Sequence, residues 1–275
     1  MTDEQLLHFH AETIKSLVRE KVFNSAVTFL GDFGEASVSL GSGTCVSFES
    51  VFGILTCAHT AVNLTSKPKI GFGIPSKSDT ATRIPKTGIR SEDVTKFYIV
   101  ENNERGPDLA FIQLSAETLS MLKATRVFLN ISKHCKAMHA MKPNAKWTFD
   151  FVLGSVEDMN FKSRKNSVTE ILHYSYMIIA GSIARVEQND QFDIVTFQPA
   201  NVEESDIPNG YQGVSGGSFW RFNFDITDKT ATIISSHLAG VPFYQSAGPN
   251  RSITCHGPNS IFLTLAKELE HQLLR

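Results

Sequence analysis

Apolar positions change their spacing several times along the chain. Over the first twenty residues Leu6, Phe9, Ile14, Leu17 and Val18 fall largely on one helical face, and Thr2 followed by Gln5 makes a capping-box start. This predicts a helix within residues 1–24 whose apolar face docks on the main body. From about Ser25 the pattern switches to short apolar runs between glycine and polar turns: Ala26–Leu30, Ala36–Leu40, Thr44–Phe48, Phe52–Cys57, Lys96–Val100 and Leu109–Leu114. Such runs predict the strands of an antiparallel barrel or sandwich over residues 25–115. Within it, Lys67 to Arg90 is rich in Pro, Gly, Ser and Lys and reads as exposed loops and hairpins.

A helical or irregular connector follows, over residues 116–146. Strand texture returns at Trp147–Leu153, Tyr174–Ala180, Phe192–Gln198, Ser218–Phe224 and Thr230–Val241, giving a second β unit over residues 147–260. Phe262, Leu265, Leu269 and Leu273 then form one stripe of a terminal helix over residues 261–275. The expected fold class is all-β: a double antiparallel β-barrel with an N-terminal and a C-terminal helix.

Composition narrows the function classes. The 275 residues are 41% hydrophobic and 20% charged, an ordinary globular balance. Twenty-six basic against twenty-eight acidic side chains leave a formal charge of −2, without the basic surplus that counterion-driven nucleic-acid binding needs. Lys162, Arg164 and Lys165 form a short basic cluster at an expected hairpin tip. The N-terminus lacks a positive start and an apolar run, and no stretch approaches the ~20 apolar residues of a membrane span. A cytoplasmic location is therefore expected, without a nucleic-acid or membrane partner. Cys45, Cys57, Cys135 and Cys255 then read as thiols by default, with a Cys45–Cys57 bond as the alternative.

Three segments carry chemistry. Gly53-Ile-Leu-Thr-Cys-Ala-His59 places a histidine directly after an apolar strand. Gly106-Pro-Asp108-Leu-Ala-Phe-Ile puts a carboxylate at the mouth of another, and Gly213-Val-Ser215-Gly-Gly217 sets a serine among glycines before a third. A serine hydroxyl is a poor nucleophile and needs a base within hydrogen-bond reach. Imidazole suits that task, and a buried carboxylate fixes its tautomer. Glycine at 213 lets the N–H groups of Gly213 and Ser215 point to one spot, where an oxyanion would sit. Singly, each segment reads as a core histidine, a turn aspartate or a tight glycine turn.

In this order, Thr56-x-Ala58-His59, Asp108-Leu-Ala110 and Gly213-x-Ser215-Gly-Gly217 resemble the trypsin-like, chymotrypsin-fold serine peptidases. Gly41-Ser-Gly-Thr44 is similar to the HtrA and glutamyl-endopeptidase branches. The resemblance implies a catalytic triad of His59, Asp108 and Ser215, an oxyanion hole at Gly213 and Ser215, and a polypeptide substrate. It also places Asn209 at the base of the primary pocket, with Gln212, Phe243 and Tyr244 as further substrate-binding residues. The neutral amide of Asn209 disfavours basic side chains there. Arg251 and His256 read either as a basic pocket wall, favouring acidic substrates, or as solvated loop residues; Asp206 offers the opposite sign.

One departure matters. Digestive relatives carry an aspartate before the serine that pairs with a newly cut N-terminus, whereas this chain has Val214. The oxyanion hole is thus expected to be preformed or controlled by another element, such as a regulatory protein partner. No cofactor or metal is expected. There is no phosphate-binding glycine loop, and His134, Cys135 and His139 lack the paired spacing of a closed zinc site. The expected function is a serine endopeptidase of narrow or regulated specificity, and the alternative is a catalytically silent domain used as a protein-binding module.

Overall fold

The computed structural model describes residues 2–33, 36–75, 86–87, 93–97, 107–140, 146–164, 170–188, 192–200, 210–246 and 251–273. Helix α1 (Asp3–Phe23) opens with the capping box, the Thr2 hydroxyl and the Gln5 side chain satisfying each other's backbone N–H. Its buried stripe is His10, Ile14, Val18 and Val22, a strict spacing of four. Phe9, expected on that face, is 64% exposed, because position 9 lies a turn-quarter off the stripe that His10 anchors by bonding the Thr227 carbonyl at 2.9 Å.

The chain is mostly β, in two sheets whose pairings are antiparallel apart from one short parallel contact. The first contains β1 (Ala26–Phe33), β2 (Ala36–Phe48), β3 (Val51–Thr56), β4 (Ile70–Gly73), β5 (Lys86–Thr87), β6 (Val94–Phe97) and β7 (Leu109–Gln113). The order is β5-β4-β1-β2-β3-β7-β6, with β8 (Leu129–Asn130) alongside β2. Its end strands do not pair among the described residues, so this sheet is open there rather than the closed barrel expected. The two runs around Gly41 join into one long strand, β2. A short helix, α2 (Ala58–Thr65), follows β3 directly, and α3 (Ala116–Lys123) and α4 (Ile131–Ala140) occupy the connector.

The second sheet closes. Strands β9 (Trp147–Arg164), β10 (Glu170–Gln188), β11 (Asp193–Pro199), β12 (Ser218–Ile226), β13 (Ala231–Gln245) and β14 (Ile253–His256) form a barrel in the order β10-β11-β14-β13-β12-β9. The chain then makes a wide π-type turn (Ser260–Leu265) before α5 (Ala266–Leu273).

Period-two alternation sorts the cores. Val152, Val195, Phe197 and Phe219 fill the barrel interior, while Val27, Phe29, Cys45, Ile54 and Ile112 back the first sheet. A third cluster forms the seam between the sheets. It brings Leu55, Cys57, Leu109 and Phe111 against Phe151, Leu153, Trp220, Phe222 and Val241. Cys45 and Cys57 thus face different cores, and all four cysteines are free thiols. Burial pushes the Cys45 thiol up to about 12.

Candidate active site

The site lies at one end of the seam, where β3 and β7 of the open sheet meet the loop that leads into β12 of the barrel. His59 sits in the first turn of α2. Its backbone N–H donates to Asp108 Oδ1 at 2.9 Å, and its ring Nδ1 hydrogen-bonds Asp108 Oδ2. Asp108 stands one residue before β7, and its carbonyl accepts from the Ala58 N–H at 3.2 Å. Both ends of the histidine turn are thereby fixed to one residue. Burial alone would raise the Asp108 carboxyl. The hydrogen bonds and charge of His59, with a further contribution from His256, outweigh it and hold the pKa below its ordinary 3.8.

Ser215 lies on the turn before β12. Gly213 (φ 89°) and Gly216 (φ 81°) both occupy the left-handed region that favours glycine. A Cβ on Gly213 would stand 2.7 Å from the Ser155 carbonyl oxygen, and one on Gly216 would overlap Thr56 Oγ1 and the Ser42 carbonyl. Val214 is only 2% exposed and packs into the barrel core against Gly154. Apolar burial therefore anchors this turn, with no ion pair at position 214.

Two further anchors tie the turn to the histidine. Ser42, in the middle of β2, donates its N–H to the Ser215 carbonyl at 2.9 Å and its hydroxyl to the Gly213 carbonyl at 2.7 Å. The same hydroxyl accepts the Ser155 N–H at 2.8 Å, and the Ser42 carbonyl accepts from the Thr56 hydroxyl at 2.8 Å. The Pro242 carbonyl on β13 accepts both the Gly216 N–H, at 2.8 Å, and the thiol of Cys57, at 3.1 Å. Residues 57 and 216 each adjoin a triad candidate or its neighbour, so a single carbonyl links the two segments across the seam.

The amides of this turn are oriented by their partner carbonyls. The N–H and C=O of a trans peptide unit point in opposite directions. The Gln212 carbonyl accepts the Glu157 N–H at 2.9 Å, which turns the Gly213 N–H away from the barrel strand. The Val214 carbonyl accepts the Gly217 N–H at 2.9 Å, which turns the Ser215 N–H away from Gly217. Among the described residues neither amide donates to a protein acceptor. The Ser215 hydroxyl donates to the Phe243 carbonyl at 3.4 Å, a long bond for a hydroxyl donor.

Ser215 opens onto a cleft of about 210 Å³ lined by Tyr211, Gln212, Val214, Pro242, Phe243, Tyr244, Gln245 and Ile253. Gln212, Phe243 and Tyr244 are therefore at the cleft with Ser215, whereas Asn209 and Asp206 lie outside the described residues. Tyr211 and Ile253 are lining residues that sequence reasoning missed. The described lining carries no charged group. His256 does not wall the cleft as a cation: it is fully buried, its Nε2 accepts the Asp108 N–H at 2.8 Å, and burial pushes its pKa down to about 4. That correction removes one of the two residues read as a basic pocket.

Metal-capable groups converge at one place among the described residues: Cys57, His59 and Asp108, with ligand atoms all within 4.8 Å of one another. The thiol is raised well above its ordinary pKa by burial and then by the Asp108 charge, and it donates to a carbonyl. A protonated thiol is a poor ligand, so these residues fit a hydrogen-bonded dyad better than a metal centre. His134 in the connector accepts the Leu238 N–H through Nδ1 at 3.1 Å. Among the described residues no helix is long and apolar enough to cross a membrane.

The sequence matches no protein-family model and no curated protein. Similar solved structures include the Rv3671c protease in an inactive form, at 12% identity over 93% of this chain and 94% of that one, with a TM-score of 0.45. A serine-to-alanine variant of Rv3671c from M. tuberculosis H37Rv, also inactive, gives 12% identity over 93% and 91%, with a TM-score of 0.46. The tobacco vein mottling virus protease gives 8% identity over 86% and 78%, with a TM-score of 0.40.

Proposed function

We propose that this chain is a serine endopeptidase of the chymotrypsin/trypsin type, cleaving peptide bonds through an acyl-enzyme on Ser215. The observation that carries the reading is the His59–Asp108 pair, fixed by ring and backbone, on a turn that shares the Pro242 carbonyl with the Ser215 turn. In this mechanism the Ser215 hydroxyl turns from the Phe243 carbonyl to His59 Nε2. It gives up its proton there as Oγ attacks the scissile carbon. The Nδ1 proton is held by Asp108, which keeps Nε2 free to accept. The amides of Gly213 and Ser215 receive the oxyanion. His59 then protonates the leaving amine, and water repeats the sequence to release the acid.

The uncharged, aromatic-rich cleft supports a preference for neutral side chains at the primary position. A polypeptide substrate, a cytoplasmic location and a regulatory protein partner belong to the same reading. A second reading, a silent domain that binds protein, is favoured by the Ser215 hydroxyl facing Phe243. A fluorophosphonate probe separates them. Covalent labelling of the wild type at Ser215, absent in Ser215→Ala, is expected. Wild type that stays unlabelled under every partner and peptide condition sinks the peptidase reading.

A further inference from the structure

Asp108 is gripped from two sides. His59 holds its carboxylate, and on the opposite side the Asp108 N–H donates to Nε2 of His256 at 2.8 Å. His256 ends β14, is fully buried, and lies flat against the Phe243 ring with centroids 4.3 Å apart and planes 18° from parallel. A ring nitrogen that accepts a hydrogen bond carries no proton, so the neutral ring has its proton on Nδ1. Among the described residues Nδ1 has no partner.

We propose that His256 is a positioning residue for the triad, a neutral imidazole that fixes the backbone of Asp108 and through it the carboxylate that orients His59. The proposal rests on the peptidase reading above. The choice of side chain follows from charge. An acceptor is required beside Asp108, yet a carboxylate acceptor would repel the Asp108 charge, and a cation would draw that charge away from His59. A neutral imidazole does neither. Burial keeps it neutral by pushing its pKa down to about 4, against the opposing pull of the Asp108 charge. Its stacking partner is also placed for this role. Phe243 lines the cleft, and its carbonyl accepts the Ser215 hydroxyl, so one aromatic pair spans from the carboxylate to the nucleophile.

The test combines a tautomer measurement with two variants in the full-length protein. Nitrogen-15 NMR of the histidine rings is expected to show His256 as the Nδ1–H tautomer at neutral pH; an Nε2–H ring overturns the proposal. Gln offers an acceptor oxygen at a similar reach, so His256→Gln is expected to acylate Ser215 with fluorophosphonate within about threefold of wild type. His256→Leu keeps the bulk but leaves the Asp108 N–H orphaned. Its maximal acylation rate is expected to fall about 10- to 100-fold with little change in probe affinity, as for a catalytic group displaced by about an ångström. A leucine variant that acylates at the wild-type rate overturns the proposal. So does a folded glutamine variant, with wild-type thermal midpoint, that is as slow as the leucine one. If the leucine variant does not fold, the tautomer and the glutamine variant decide. Wild type that is never labelled sinks the peptidase reading instead, and the tautomer still judges the His256 contact.

Discussion

Replacing Asp108 with Asn is the sharpest probe of the site, because it changes one atom and reverses one proton. Asp108 accepts twice from His59, at Oδ1 from the backbone N–H (2.9 Å) and at Oδ2 from the ring. An asparagine must keep its oxygen toward the backbone N–H, since two donors cannot face each other. Its NH₂ then faces the ring and makes Nδ1 an acceptor. The imidazole proton moves to Nε2, the nitrogen that has to receive the serine proton. Fold and cleft stay in place, and the exchange of a charge-assisted bond for a neutral one costs only about 1 kcal/mol of stability. The acylation rate is expected to fall about 10⁴-fold, the loss known for a wrong-tautomer triad. That is about 5.4 kcal/mol of transition-state stabilisation at ~1.36 kcal/mol per decade. Stopped-flow or gel-based fluorophosphonate kinetics on wild type and variant, with urea unfolding as the control, measure both numbers. Acylation by Asp108→Asn within about tenfold of wild type would refute the role assigned to the carboxylate.

What the chain disclosed in advance follows the range of the interactions involved. The α1 start was readable because Thr2 and Gln5 satisfy each other three residues apart. The pairing of His59 with Asp108 was legible only through the resemblance in motif order; locally, His59 follows one apolar run and Asp108 precedes another. Ser42 was visible only as part of a glycine motif. Its role depends on the carbonyls of Gly213 and Ser215, more than 170 positions away, and nothing local announces such acceptors. His256 was misplaced for the same reason. Near Arg251 it resembles loop, yet β14 is held between β11 and β13, and that pairing buries the ring. Helix α2 was missed because it is eight residues long and its cap, Cys57, makes no side-chain hydrogen bond to the helix's own N–H groups. Val214 showed in sequence only what the turn lacks; the core that holds it in place becomes visible with the barrel closed.

Two further outcomes follow. Ser42→Ala removes one hydroxyl that serves both the Gly213 carbonyl, which is partly buried, and the Ser155 N–H, which is fully buried, and leaves both without that partner. Urea unfolding is expected to show a loss of about 2–3 kcal/mol, with slower Ser215 labelling, and a wild-type midpoint would remove Ser42 from the clamp. Acidification tests the desolvated histidines. Burial lowers His134, His237 and His256 from 6.5 to about 4. As pH falls, the unfolded chain takes up these protons first, so stability rises with pH between about 4 and 6.5 and is lost on descending through that window. His256, fully buried, accounts by itself for about 2 kcal/mol lost between pH 7 and pH 5. The depressed Asp108 acts in the same direction at lower pH: its contribution is present above the unfolded carboxylate value and disappears as pH falls through the folded one. Unfolding free energy at pH 5 is therefore expected to sit at least ~2 kcal/mol below that at pH 7, with His256→Gln flattening part of the slope. Equal stability at the two pH values would mean that these rings are solvated or already charged in the fold, and would break the neutral-imidazole argument at its base.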